Sequence, residues 1–505
     1  MKFVLRGTVV TLDSRRRIIK DGCIGVDAGK IAFVKSARYR LPAEFQNAPV
    51  INVDGYIYPG LVDLHNHLAY NFLKLWKITK KFVDRYQWAG ISRYGKEITA
   101  PMKLVTNANP VELMKYCEVK AMLGGATTIA GFAKFNKSYA AWLLRNVEAE
   151  QFEQESRIYT SVLKLRDEQQ YLDTARKMTE GNAFIYHLAE GTSAKLHAEY
   201  DELSRYGLIR DKLVAIHCTA LTAEHMKEMG RKKVKIVWSP LSNLLLYGAT
   251  SDVVSAKKSR ATICLGPDWS PTGSKSLLWE LKVADLVNQS LNNAFTYRNL
   301  VEMVTVNPAK AIGWDDKVGT IQPGHLADLV VFDRIDDDPY RNLVLSTEGG
   351  LKLVLIGGRP RYGDLEMLAA FGIDSAEKIT VDGREKAIDI LEPGVAYGDI
   401  KLETVLSSLA GALANPIKAA KKLFETVSKK SAEPIRLIPL EEDEIPSLVK
   451  TRTFESFVEK NQIIGTKAAT ALDPLTMSED KDFFKTLEEN PNIPAYLAKL
   501  RQYAR

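Results

Sequence analysis

Residues 60–68 read GLVDLHNHL, an apolar run of strand length that opens after a Pro-Gly pair and closes on His-x-His. Short apolar runs bounded by Gly, Pro or Asn fit strands buried on both faces. Seven more follow: GATTIAGF (125–132), LLRNVE (143–148), RIYTSVLKL (157–165), AFIYHLAEG (183–191), LVAIHCTAL (213–221), KIVWSPLSN (235–243) and TICLGPDWS (262–270). Helical patterns fill the gaps, among them NPVELMKYCEVKAML (109–123), EQQYLDTARKMTEG (168–181) and SAKLHAEYDELSRYG (193–207), whose apolar residues recur at three and four. Eight strands alternating with helices predict an α/β chain with a TIM-like (β/α)8 barrel over residues 57–317.

Such a barrel concentrates its chemistry at the carboxyl ends of its strands. His65 and His67 alternate with period two, which sends both imidazoles to one side of a strand, close enough to share an ion. The fifth run contributes His187, the sixth His217 and the eighth Asp268. Only seven histidines occur in 505 residues, and four stand at these ends. A lone His-x-His pair is more often a surface or core pair, and a lone buried imidazole usually bonds to backbone. Five such groups at one rim of one barrel read jointly as a metal site. His197 and His225, in charged helical stretches, and His325, after a Pro-Gly turn, read as ordinary residues.

Working outward, residues 1–56 alternate β-rich stretches with turns, with Asp21-Gly22 and Ala28-Gly29 read as hairpin turns. A second β-rich patch returns at 318–363. Neither has enough strands alone, so together they are expected to build a composite β-sandwich domain around the inserted barrel. Residues 364–505 form a mixed, mainly helical C-terminal extension: a hairpin over 377–391, helices over 402–430 and 480–505, and a Pro-rich charged linker over 431–450. It carries no chemical motif, and its role stays open.

The composition, 46% hydrophobic and 26% charged, is that of a folded globular chain. A net charge of +7 over 505 residues is too dilute for a nucleic-acid footprint. Cys23, Cys117, Cys218 and Cys264 are scattered singly, which suits a reducing compartment. The amino-terminal stretch does not read as a signal peptide, and no run of about 18 apolar residues suggests a spanning helix. The expectation is a cytoplasmic protein with a small-molecule substrate and neither nucleic acid nor membrane as partner; homo-oligomerisation stays open. GPDWSPTGSKS lacks the GxxxxGK[ST] pattern, so ATP binding is not expected.

Taken as a series, these phrases resemble the amidohydrolase superfamily, in particular its cytosine deaminase and triazine hydrolase branch. The resemblance spans about residues 1–362, from GTVVTLDSRRRIIKDGCIGVDAGKIAFV through YIYPGLVDLHNHLAYN, HLAEG, AIHC, SPLSNLLLYG and LGPDWSPTGS to VNPAKAIGWDDKVGTIQPGHLADLVVF. It implies that His65, His67, His187 and Asp268 bind one divalent ion, Zn2+ first and Fe2+ second, with a position left for water. That donor set suits a borderline-soft ion that activates water. It implies further that Glu190, in a His-x-x-Glu arrangement, moves protons from water to the leaving nitrogen, that His217 polarises the substrate, and that Asp268 also orients the water. Lys164, at the end of the fourth run, is the candidate for the carboxylated lysine of two-metal relatives.

The expected activity is therefore metal-dependent hydrolysis of a carbon–nitrogen bond other than a peptide bond, with deamination of a heterocyclic or amidine-like carbon leading. Cyclic-amide ring opening and chlorohydrolase-type displacement are the alternatives, and a non-catalytic binding or scaffolding relative is a third. Tyr70, Asn71, Trp88, His217, Asn243 and Trp269 are candidate substrate contacts, with Trp76, Arg85, Gln87, Ser239, Ser242 and Ser270 nearby. Trp76 and Phe82 equally suit packing of the long loop after the first strand.

Overall fold

A computed structural model of the chain describes residues 1–131, 133–149, 158–161, 164–429, 434–439, 448–463 and 470–504. Phe132 of the second apolar run, Arg157, Val162 and Leu163 of the fourth, and much of the 431–450 linker lie outside them. Each of the eight runs contains a strand: β1 (Leu61–Asp63), β2 (Ala126–Ile129), β3 (Arg145–Asn146), β4 (Ile158–Ser161), β5 (Ala183–Leu188), β6 (Leu213–His217), β7 (Lys235–Trp238) and β8 (Thr262–Leu265). They pair in parallel as two arcs, β1-β2-β3 and β4-β5-β6-β7-β8. Asn66 and Asp268, just past the ends of β1 and β8, form a parallel bridge that joins the arcs on one side.

Alternate strand residues enter two different cores. Val62, Leu64, Ala183, Ile185, Val214, Ile216, Val237 and Cys264 pack together on one face, closed below by Ile312 and Trp314. Phe184, Tyr186, Leu213, Ala215, Ile236, Trp238, Ile263 and Leu265 face the helices, meeting Met122, Leu203, Met229 and Leu281. With both faces buried the runs lose polar alternation, and each Val, Leu or Ile so buried contributes roughly 1.5–3 kcal/mol.

The helices begin where local chemistry starts them. Asp167 accepts from the Gln170 N–H at 2.9 Å to cap Glu168–Thr179, and Thr222 with His225 forms a capping box on Ala223–Arg231. The seventh run is shorter than its sequence suggests. Its strand stops at Trp238, because Pro240 occupies the first turn of a helix over Pro240–Tyr247, so Ser239–Asn243 leave the sheet.

Both flanks join one continuous nine-stranded sheet. Its order is Glu377–Val381, Arg384–Ile388, Arg359–Asp364, Leu351–Ile356, Leu329–Phe332, Val50–Pro59, Lys2–Val10, Ile18–Asp27, Lys30–Ser36. The hairpin over 377–388, read from sequence as part of the extension, pairs with Arg359–Asp364 and belongs to this sheet. Ala28-Gly29 is a turn, both residues having positive φ (45° and 78°). Asp21-Gly22, in contrast, lies inside a strand, where a Cβ on Gly22 would stand 2.7 Å from the Val9 side chain; the glycine serves close packing there, not reversal. Of the extension, helices Leu402–Ala414 and Pro416–Lys429 are present as read, and residues 473–492 lie against the loop that follows β1. Among the described residues no helix is long and apolar enough to cross a membrane, and all four cysteines are buried and unpaired.

Candidate active site and metal centre

Five of the six predicted first-rank residues converge on one point past the carboxyl ends of the strands, with Glu190 beside them. His65 Nε2 and His67 Nε2 lie 3.1 and 3.3 Å from His187 Nε2, and the same two atoms lie 3.3 and 3.4 Å from Asp268 Oδ1. His217 Nε2 stands 3.7 Å from Glu190 Oε2 and 4.0 Å from Asp268 Oδ2. Two overlapping sets, His65/His187/His217 and His65/His67/Asp268, each bring their ligand atoms within 4.8 Å of one another. His65, His187, Glu190, His217 and Asp268 are buried, and His67 keeps 10% of its side chain exposed.

This donor set fits a divalent cation. Several imidazole nitrogens and a carboxylate oxygen converge in a buried site; those that carry no proton face one another as lone pairs, an arrangement that a shared cation relieves. Burial, and then the neighbouring imidazoles, push His65 and His187 well below the ordinary histidine pKa, so both are neutral and ready to ligate. Burial pushes Asp268 up despite His67 and His217, which would hold it down.

The strand ends are bent to aim these groups. Ala189, His217 and Asp268 adopt left-handed φ values of 50°, 64° and 67°. Non-glycine residues there cost about 1–3 kcal/mol each and persist where the surroundings over-determine them, as at functional sites. A ring of hydrogen bonds does so here. Ser239 Oγ lies 2.6 Å from His65 Nδ1, Ser242 Oγ donates to Asp268 Oδ2 at 2.6 Å, Asn243 Oδ1 lies 2.8 Å from His217 Nδ1, and Tyr247 Oη donates to Glu190 Oε1 at 2.6 Å. All four belong to the Pro240–Tyr247 helix or its N-cap, and Ser239, Asn243 and Tyr247 are spaced by four, one face of one helix. At the carboxyl end of β1, the Asp63 side chain accepts from the His65 N–H and the Asn66 amide, and burial raises it to about 8. Arg85 donates to the His187 carbonyl, and Glu199 accepts from the Ala189 N–H.

The residues expected from sequence as ligands do come together, but the contacts of several neighbours were not legible there. Asn243 orients His217 and also bonds Thr250 and Ser251, while Asn71 is committed to Asn66 and Ser270. Tyr70, Trp88 and Tyr94 surround Trp269 at ring distances of 4.9, 6.0 and 6.2 Å, and Trp269 in turn stands 5.8 Å from His67, which makes an aromatic wall beside the donors. Trp76 donates to Glu97 and Phe82 is buried, both packing the loop; Gln87 is exposed. Tyr247 went unrecognised, although its spacing of four from Asn243 was visible. Lys164 is bound instead to Glu202 at 2.8 Å with 45% of its side chain exposed, so it is not held in a second metal site. His197 bonds the Ala220 carbonyl, His225 caps its helix and His325 contacts Thr320 and Gln322, the ordinary roles expected.

Comparison with known proteins agrees with this geometry. A profile described as "Amidohydrolase family" matches residues 177–361, which include His187, Glu190, His217 and Asp268. A 5-methylthioadenosine/S-adenosylhomocysteine deaminase of Pyrococcus abyssi is 30% identical over 207 residues, 39% of this chain and 46% of that protein. The enzyme of the same name from Halothermothrix orenii is 24% identical over 419 residues, covering 73% of this chain and 96% of that one. In structure, a zinc-bound adenosine deaminase from Xanthomonas campestris aligns with a TM-score of 0.56 at 17% identity, over 73% of this chain and 96% of the other. Residues 177–361 are thus similar to the amidohydrolase family, and the relatives that match the chain more widely are named as deaminases.

Proposed function

We propose that the chain is a mononuclear metal-dependent deaminase of an aminated heterocycle. The two parallel arcs are taken as one closed (β/α)8 barrel, with the nine-stranded sheet as a composite domain beside it, in a cytoplasmic protein. The observation that carries the reading is the convergence of His65, His67, His187 and Asp268 on one buried point with the Glu190 carboxylate beside it.

His65, His67, His187 and Asp268 would hold the ion, Zn2+ first by the donor set and Fe2+ second. When bound, it supplies the Lewis acidity that lets water attack near neutral pH. The chain's own groups do the rest. Asp268 Oδ2, fixed by Ser242, accepts a hydrogen bond from the attacking water and orients it. Tyr247 occupies Glu190 Oε1, which leaves Oε2 to take the proton and return it to the departing nitrogen. His217, whose Nδ1 is held by Asn243, directs Nε2 at the substrate as negative charge builds on its ring. Trp269, Tyr70 and Trp88 offer flat apolar faces to a planar ring while the donors act at its edge.

Reconstitution with Zn2+ followed by an ammonia-release assay tests the reading. The panel begins with 5-methylthioadenosine and S-adenosylhomocysteine, from the relatives' names, and continues through purines, pyrimidines and triazines. Zinc-dependent ammonia release is the expected result. Release of a new carboxylate without ammonia, or of chloride from a chlorinated ring, replaces deamination with ring opening or displacement.

A further inference from the structure

Two lysines are buried in the barrel region beside the candidate centre, and their carboxylate partners come from far along the chain. Lys120, on the helix before β2, and Lys275, in the loop after β8, are 1% and 4% exposed. Lys120 pairs with Asp473, and Lys275 Nζ lies 2.8 Å from Asp473 Oδ1 and 2.6 Å from Asp480 Oδ2. Asp473 is itself held by its backbone, its N–H donating to the Phe72 carbonyl and its carbonyl accepting from Tyr116 Oη.

Lys120 also reaches the site. Its Nζ donates to Ser270 Oγ at 2.6 Å and to the Asn71 carbonyl at 2.9 Å. Asn71 Oδ1 accepts from the Ser270 N–H at 2.9 Å, and the Asn71 amide donates to Asn66 Oδ1 at 2.7 Å. Asn66 lies between His65 and His67 and bridges Asp268; Ser270 is two residues past Asp268. The loops that carry three of the four ligands are thus tied together through one ammonium, and that ammonium is tied to the extension. Lys74–Asp482 and Lys77–Glu489 pairs, with Asn492 donating to the Leu245 and Lys80 carbonyls, hold the same segment against the loop after β1 and the Pro240–Tyr247 helix.

We propose that Asp473 is a positioning residue of the active site: by fixing Lys120 it sets the spacing of the β1 and β8 loops and hence of His65, His67 and Asp268. This rests on the metal-site reading above. The electrostatics agree, since burial alone would raise Asp473, yet Lys120 and Lys275 outweigh it and hold the carboxylate below its ordinary value. The extension is then part of the catalytic unit and not an appended module.

The test separates positioning from mere stability. Full-length, zinc-loaded wild type, Asp473→Asn and Lys120→Met/Asp473→Asn are compared for zinc release to a chromogenic chelator and for thermal midpoint. The single variant leaves Lys120 buried without its counter-charge and should unfold at lower temperature. The double variant removes both charges, keeps Lys275 with Asp480, and should regain most of the lost midpoint. Without the ammonium bridging Ser270 and Asn71, it should still release zinc about tenfold faster, the lower end for outer partners of metal ligands. A double variant that releases zinc within about twofold of wild type overturns the proposal. If neither Asp473 variant folds, Ser270→Ala, which leaves the ion pairs in place, decides: faster release supports the proposal and unchanged release overturns it. Wild-type protein that retains no zinc after reconstitution overturns the metal-site reading itself, a result distinct from a failure confined to these variants.

Discussion

Two buried polar clusters lie side by side here and are solved in opposite ways. Around Lys120 and Lys275, two ammonium groups meet two carboxylates, and the remaining protons go to Ser270 and the Asn71 and Pro474 carbonyls, so the cluster is complete in itself. At the histidine cluster, imidazole nitrogens and a carboxylate oxygen converge within 3.1–3.4 Å of one another, with no lysine or arginine among the described residues paired to them. Burial penalises unmatched polarity in both places, by several kcal/mol per ion. The second cluster is the one whose donor set could take up an ion.

The largest expected effect comes from Asp268→Ala, which removes the proposed ligand and the acceptor proposed to orient water. It should lose both ion and turnover, read by metal analysis and rate together; retained activity would take Asp268 out of the centre. Next is Glu190→Gln, expected to lower turnover about 10²- to 10⁴-fold while zinc content stays near wild type, because in the proposed reading this carboxylate moves protons and does not ligate. Equal zinc loss in that variant would merge two roles kept apart here. Ser242→Ala is a smaller perturbation. Freed of its 2.6 Å bond, Asp268 should hold zinc about tenfold more weakly, seen in competition with a chelator.

The smallest effect sharpens the contrast between matched and unmatched carboxylates. Glu280, buried under the Pro240–Tyr247 helix where it accepts from the Leu241 N–H and Ser274, has no lysine partner among the described residues, and burial raises it to about 8 from 4.5. Its folded pKa lies above its unfolded one, so the folded protein binds the extra proton between those values. The stability it brings is full below about pH 4.5 and is lost as pH climbs through 8. Asp473, held low by two lysines, behaves oppositely: its contribution is present above about 3.8 and is lost as pH falls below that. Denaturant midpoints at pH 5 and pH 8 should show Glu280→Gln gaining on wild type at the higher pH. Equal gaps at both pH values would contradict the raised pKa.

Much of this was legible in the sequence for a physical reason. A strand buried on both faces must be apolar throughout, so β1 to β8 announced themselves as runs, and the rare histidines at their ends stood out against that background. The errors share a cause as well. Asp21-Gly22 has turn chemistry, yet the Val9 side chain it packs against is a tertiary partner that no local pattern reveals. Ser239–Asn243 read as strand because Pro240 opens a helix as readily as it ends a strand. That Asn71 and Asn243 bond Asn66 and His217 was likewise not legible, because an amide near a strand end looks the same whatever it faces.

The sequence by itself determined which imidazoles and carboxylate stand at the strand ends, since periodicity and hydrophobic burial are written locally. Only the tertiary structure decided what orients them. That Tyr247 holds Glu190, that Lys164 turns away to Glu202, and that carboxylates at 473 and 480 balance lysines at 120 and 275 are matters of pairing between groups hundreds of residues apart or on separate loops. Charge and hydrogen-bond complementarity are enforced by distance in space, and the order of residues along a chain does not encode that distance until the backbone has folded.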